Sequence, residues 1–210
     1  MSQVSFKQRV CNEIISCAKG YKAVFLDYDY LIFSSGFVVQ PYYILSAIEG
    51  NYKHLTGVNS NIAPHDFYMM CLNGTISEND FDFIKPRESE KSVKGAVRNK
   101  IIALPLMMKV FMSSLIADEN FSHGKVSCAL ATTDNSVTVG FDNRITSRPK
   151  TLLRGNEISN PRAVRVDLVL KRVRSSAKFN IIVQGEAREF WLNSNCRNLP
   201  FVDKVLIWDR

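Results

Sequence analysis

Histidine and cysteine are scarce in this chain: three histidines and five cysteines in 210 residues. The cysteines (Cys11, Cys17, Cys71, Cys128 and Cys196) are odd in number and contain no CxxC pair. That usage argues against a zinc ribbon or a disulfide framework and fits reduced thiols in a cytosol. His54 and His65 are not clustered with cysteine ligands, so neither a structural metal nor a cofactor is expected. The motifs of several enzyme classes are missing too. No GxxxxGK[ST], GxGxxG, HExxH or GxSxG occurs, which argues against a P-loop NTPase, a Rossmann oxidoreductase, a zincin and a serine hydrolase. Long apolar runs are absent. The best, Ile101 to Ile116, is interrupted by Pro105 and Lys109 and is too short for a membrane span. The first residues, MSQVSFKQRV, lack the apolar core of a secretory signal. The expectation is a cytoplasmic protein without membrane contact.

What is present is ordinary globular material, 46% apolar and 22% charged, enough for a packed core. The formal charge is +7, and it is unevenly placed. Ten basic residues lie between Arg144 and Lys178, opposed only by Glu157 and Asp167, so this segment carries +8 and the remainder is near neutral. A localised excess of this kind points to a phosphate-binding face, and so to nucleic acid; a solvated sheet face is the plain alternative.

Pattern divides the chain into two halves of one domain. Residues 1–118 read as mainly helical with a short β-hairpin, and residues 119–210 as mainly antiparallel β. Helical spacing covers residues 3–19, with Gly20 as the stop. Tyr28 to Phe33 reads as a strand, and residues 42–48 as its hairpin partner. NYKHLTGV, residues 51–58, is a polar segment between apolar ones. Pro64 opens a short helix that Gly74 closes, and Ser77 caps a further turn. Residues 85–95 read as a mobile loop, followed by a long helix from Val93 to Ala117 that Pro105 kinks. Residues 125–131 and 136–142 form a hairpin, and 164–173, 179–186 and 202–208 read as strands. Helices first and strands after give an α+β fold, with N-terminal helices packed on a small twisted antiparallel sheet.

Two groups of residues could carry chemistry. His54 in KHLTG titrates near neutral pH and stands beside Lys53 and Thr56; the other reading is a histidine that caps a turn. SRPKTLLRG, residues 147–155, gathers Arg148, Lys150, Thr151 and Arg154, which could hold a phosphate; the other reading is a basic surface loop. Arg165 and Lys171 extend that basic set. His65 and His123 are weaker candidates. Asp27 and Asp29 flank Tyr28 and read as solvent-exposed carboxylates rather than a metal site. RNA would suit such a set, because its 2′-hydroxyl is an internal nucleophile. A base, an acid and cations to stabilise the phosphorane then suffice.

The segment YYILSAIEGNYKHLTGV resembles the start of a phage-associated nuclease family. That family is the fourth such type in the barnase–EndoU–colicin E5/D–RelE-like superfamily. Its aromatic-x-HLTG element is matched by Tyr52 and by His54 to Gly57. DFYMMCLNG with SENDF resembles the next element, and GKVSCALATTDNSVTVGF followed by RPKTLLRG resembles the last two. The resemblance covers roughly residues 20–185. KPRESEKSVKG and the tail after Glu186 match nothing in it. It implies a barnase- or RelE-like fold and metal-independent cleavage of RNA, tRNA included. By position, His54, Lys125, Thr151 and Arg154 match motif residues and become the implied catalytic set. Arg148 and Lys150 are local additions that fit chemically, and with Lys53, Thr56, Arg165 and Lys171 they are the expected substrate contacts. The implied setting is a bacterial host cell, where a phage- or prophage-encoded toxin would meet a cognate inhibitor or a host protein. Two other readings stay open. One is a non-catalytic binder of nucleic acid, a nucleotide signal or a host defence protein. The other is a phage structural or assembly protein.

Overall fold

A computed structural model describes residues 4–142 and 146–207. The chain begins with α1, Phe6–Tyr21, capped by Ser5, whose hydroxyl accepts from the Gln8 N–H at 2.9 Å. Gly20 does not stop it: a π-helical turn, Lys22–Leu26, carries the chain into β1, Tyr28–Phe33. β2, Tyr42–Leu45, pairs antiparallel with β1 as the sequence suggests. Next comes a helix that the polar segment did not announce, α2, Glu49–Thr56. It ends at Gly57 in the left-handed region, φ +77°. α3, Pro64–Asn73, ends in the same way at Gly74, φ +69°.

The stretch expected to be loop until Val93 is already helical from Glu90, in α4, Glu90–Met107. That helix holds Pro105 in its last turn and ends ten residues before the expected limit. Leu104–Ile116 is apolar enough to read as helix. In the structure it holds the end of α4, a 3₁₀ turn and the start of β3, Ile116–Glu119. The remaining strands are β4, Ser122–His123; β5, Val126–Ser127; β6, Leu130–Thr133; β7, Val137–Phe141; β8, Pro149–Arg154; β9, Val164–Arg165; β10, Leu168–Val173; and β11, Ile181–Gly185. The short α5, Ala187–Leu192, follows. In place of the expected strand at 202–208, the described residues form a 3₁₀ turn, Lys204–Ile207, after a bridge between Phe179 and Val202; Trp208 lies outside them.

The architecture is α+β, and the antiparallel strands form two main sheets rather than one. The four-stranded sheet has the order β11-β10-β1-β2, and the five-stranded sheet β8-β7-β6-β3-β9; β4 and β5 make a small hairpin. VRVDLVLKRV, expected as one strand, turns at Val166–Asp167, so its two ends serve different sheets. The sheets meet where Leu45 bridges Ser147.

The main core joins α1–α4 to the inner faces of both sheets, through Ile14, Tyr52, Leu55, Val97, Val139 and Leu152 among others. A second core lies on the far side of β1 and β10, where Leu31, Phe33 and Leu168 meet Phe179 and Phe190. Because β1 is covered on both faces, its six residues show no exposed side. That overturns the expectation for Asp29, which is 5% exposed. Its carboxylate lies 3.2 Å from the Arg172 Nη2 and 3.5 Å from the Arg174 Nε. Burying a lone carboxylate would cost several kcal/mol, and the two guanidinium groups offset that cost. No helix among the described residues is long and apolar enough to cross a membrane.

A cationic cleft at the edge of the five-stranded sheet

β8 is an edge strand, and α2 and α4 pack along it. The packing of α2 explains the aromatic-x-HLTG pattern. Tyr52 is fully buried, donates its hydroxyl to the Ile14 carbonyl at 2.6 Å, and contacts the rings of Tyr21 and Tyr68 at 5.0 and 5.4 Å. Leu55 is buried as well. At about 100° per residue, a position two along from Tyr52 lies on the opposite side of the helix. His54 is therefore turned outward, and it is exposed.

His54 opens onto a cleft of about 270 Å³ lined by Gly50, Lys53, Gly57, Pro64, Lys85 and Lys100. No carboxylate lines it among the described residues. Lys100 reaches the cleft from α4 and donates from Nζ to the His54 carbonyl oxygen at 3.0 Å. Its side chain passes directly over Gly57: a Cβ there would stand 2.7 Å from the Lys100 Cδ. Gly57 is thus required twice, for its positive φ and for this close passage. Although the His54 side chain reaches solvent, the protein atoms crowded around its ring partly desolvate it; this, and then the positive charge of Lys100, lower its pKa below 6.5, while the Lys150 backbone acts in the opposite direction. Burial, and then Lys85, lower the Lys100 pKa to about 8. Lys85 and Lys100 are the residues that sequence reasoning missed. Lys100 lies 46 positions from His54, and Lys85 falls in a charged stretch that reads as a mobile loop.

The other expected residues are dispersed. Lys53 lines the cleft, but its ammonium donates to the carbonyls of Ser60 and Ile62 at 2.5 and 2.6 Å, tying down the following loop. Thr56 is buried and donates its hydroxyl to the Lys53 carbonyl at 2.7 Å. SRPKTLLRG is mostly strand rather than loop. Lys150 occupies a bulge between the Gly140–Thr151 and Phe141–Pro149 pairs. Its backbone lies beside His54, and its ammonium donates to the Ser127 carbonyl at 2.7 Å. Lys125 is exposed at the turn of the β4–β5 hairpin, two residues before Ser127.

Beyond the bulge the strand alternates. Leu152 joins the main core, while Leu153 packs on the outer face with Phe121 and Cys128. Thr151 is buried on that outer face against Gly140, and Arg154 is exposed on the helix side. Four residues of strand, roughly 13 Å, separate Arg154 from the Lys150 bulge. Arg148 is half-buried just before β8. His123 lies beside Glu157, with Nδ1 3.6 Å from the carboxylate, and His65 is exposed at the start of α3.

The +8 segment does not form one face. Arg165 lies on β9, at the opposite edge of the five-stranded sheet from β8. Lys171 belongs to the other sheet, with its Nζ 4.2 Å from the centre of the Tyr28 ring. Arg172 and Arg174 hold Asp29, and Arg144 falls outside the described residues. Among the described residues, no group of three or more His, Cys, Asp or Glu side chains converges as a metal site would require.

Residues 13–171 match the model of a family described as phage-Barnase-EndoU-ColicinE5/D-RelE like nuclease 4. No curated protein and no solved structure gives a match to the chain. The matched span includes the cleft and β8 and ends within β10.

Proposed function

The chain belongs to this family of nucleases, and from that premise we propose that it cleaves RNA through the 2′-hydroxyl, without a metal ion, at the cleft around His54. The observation that carries the reading is a histidine of lowered pKa opening onto a cleft lined by three lysines and no carboxylate. At neutral pH its imidazole is largely uncharged and free to accept the 2′-hydroxyl proton. Lys85 supplies positive charge for the phosphoryl oxygens as the phosphorane forms. Lys150 in the bulge, Lys125 on the hairpin and Arg154 at the far end of β8 extend a path of cations along the strand edge, suited to flanking phosphates. Thr151 contributes by fixing the bulge that places Lys150.

RNA rather than DNA is favoured by this chemistry: the 2′-hydroxyl makes an activated water unnecessary. The phage association of the family supports a role as a toxin or effector inside a bacterial host. Growth arrest on expression, relieved by His54→Ala, would bear on that role.

The test is incubation of purified protein with total RNA, with tRNA and with single-stranded DNA in EDTA. RNA cleavage without DNA cleavage is expected. Its rate should fall in acid, as His54 gains a proton below pH 6.5. Cleavage that requires added divalent metal, or equal cleavage of DNA, would refute the reading. Salt-sensitive RNA binding without turnover would favour a non-catalytic binder.

A further inference from the structure

Cleavage through the 2′-hydroxyl has a second half. The departing 5′-oxygen is a poor leaving group until it gains a proton, and His54 as base cannot be the donor in the same step. Three lysines line the cleft, and their surroundings differ. Lys53 spends its ammonium on two loop carbonyls. Lys85 is carried by an irregular segment that precedes α4. Lys100 alone is held along its length. Its methylenes cross Gly57, and among the described residues its Nζ makes a single hydrogen bond, to the His54 carbonyl at 3.0 Å. One of its three protons is used there, leaving two for the cleft.

Building on the RNA-cleavage reading, we propose that Lys100 is the general acid, protonating the 5′-oxygen as His54 takes the 2′-hydroxyl proton. The P–O2′ bond forms and the P–O5′ bond breaks. The products are a 2′,3′-cyclic phosphate and a 5′-hydroxyl, with His54 left cationic and Lys100 neutral. Both groups then recover by proton exchange with water. The lowered pKa of Lys100 supports this role, because an ammonium near pKa 8 yields its proton more readily than an ordinary lysine. The charged and titratable groups facing Lys100 are Lys85, Lys53 and His54, with Lys150 beyond His54. The plainer role is a lysine that caps the last turn of α2 and favours its dipole. A cap would act on folding and on the position of His54, and would be indifferent to the leaving group.

The leaving group is therefore the probe. Two oligonucleotides are compared, each with one ribonucleotide, one with the natural 5′-oxygen at the scissile bond and one with bridging 5′-sulfur. Sulfur departs without protonation. Lys100→Met and Lys100→Arg should each slow cleavage of the oxygen substrate by about 100-fold or more. Both should stay near the wild-type rate on the sulfur substrate, whereas His54→Ala loses both. The wild type gives the same contrast without mutation. Above about pH 8 the rate on the oxygen substrate should fall while the rate on the sulfur substrate holds. Equal losses on both substrates, full activity in Lys100→Arg, or identical alkaline limbs would overturn the proposal. A wild type that cleaves neither substrate would instead refute the RNA-cleavage reading beneath it.

Discussion

Two groups of cations in this chain have opposite fates. At the end of β10, Arg172 and Arg174 belong to the most basic stretch of the sequence, yet both are spent inside the fold. Arg172 pairs with Asp29, donates to the Ala177 carbonyl at 3.1 Å and covers the Phe179 ring at 4.6 Å. Arg174 donates to the carbonyls of Ala47 and Phe25 at 2.7 and 3.0 Å. Around His54, the lysines come from outside that stretch, and no carboxylate among the lining residues balances them. Charge counted along a sequence is therefore a poor guide to charge offered to a ligand. A guanidinium beside a buried carboxylate holds the fold together, whereas a lysine without an anionic partner in a cleft is available to a phosphate.

Substitutions can break this comparison from either side. The largest effect is expected in the cleft: His54→Ala should reduce RNA cleavage about 1000-fold. As an exposed residue it should leave the urea midpoint nearly unchanged. On the arginine side, Asp29→Ala should cost about 3 kcal/mol of stability, because two partly buried guanidinium groups lose their anion. Calorimetry would read that loss, while cleavage per folded molecule should hold. A drop in specific activity with no change in stability would reverse the assignment.

Two glycines sharpen the contrast at lower cost. Gly57→Ala and Gly74→Ala should each cost about 1–2 kcal/mol, because both positions have positive φ. Only Gly57→Ala should also slow cleavage, since only there does an added Cβ press on Lys100. Lys85→Ala should reduce the slope of log affinity against log salt by about 1. Smallest of all, Arg165→Ala should leave that slope unchanged. Lys171→Ala should cost about 0.5–1 kcal/mol of stability, from the lost contact with Tyr28.

Much of the frame was legible where pattern and burial agree. α1, β1, β2, α3 and β7 follow from periodicity and turn residues, whereas residues 125–131, expected as one strand, divide between β5 and the start of β6. The outcome differs where tertiary packing decides. α2 hides behind Gly50 and Asn51, which weaken its helical signal, and Tyr52 and Leu55 hold it by packing. β1 lacks an alternating pattern because cores lie on both its faces, so Asp29 read as exposed. For the site, the HLTG motif marked His54, and its glycine proves to be where Lys100 passes. Lys85 and Lys100 carry no local signal, since only the packing of α4 beside α2 brings them to the histidine. Thr56 and Lys53 stand inside the motif, yet their polar groups serve the turn that follows it.

The central claim is that the lysine-lined cleft holding His54 is where RNA is cut. End-group analysis of RNA treated in EDTA with wild-type protein and with His54→Ala tests it most directly. The expected result is 2′,3′-cyclic phosphate and 5′-hydroxyl ends from the wild type, with both absent from the variant. Intact RNA, 5′-phosphate ends, or the same ends at the same rate from His54→Ala would contradict it.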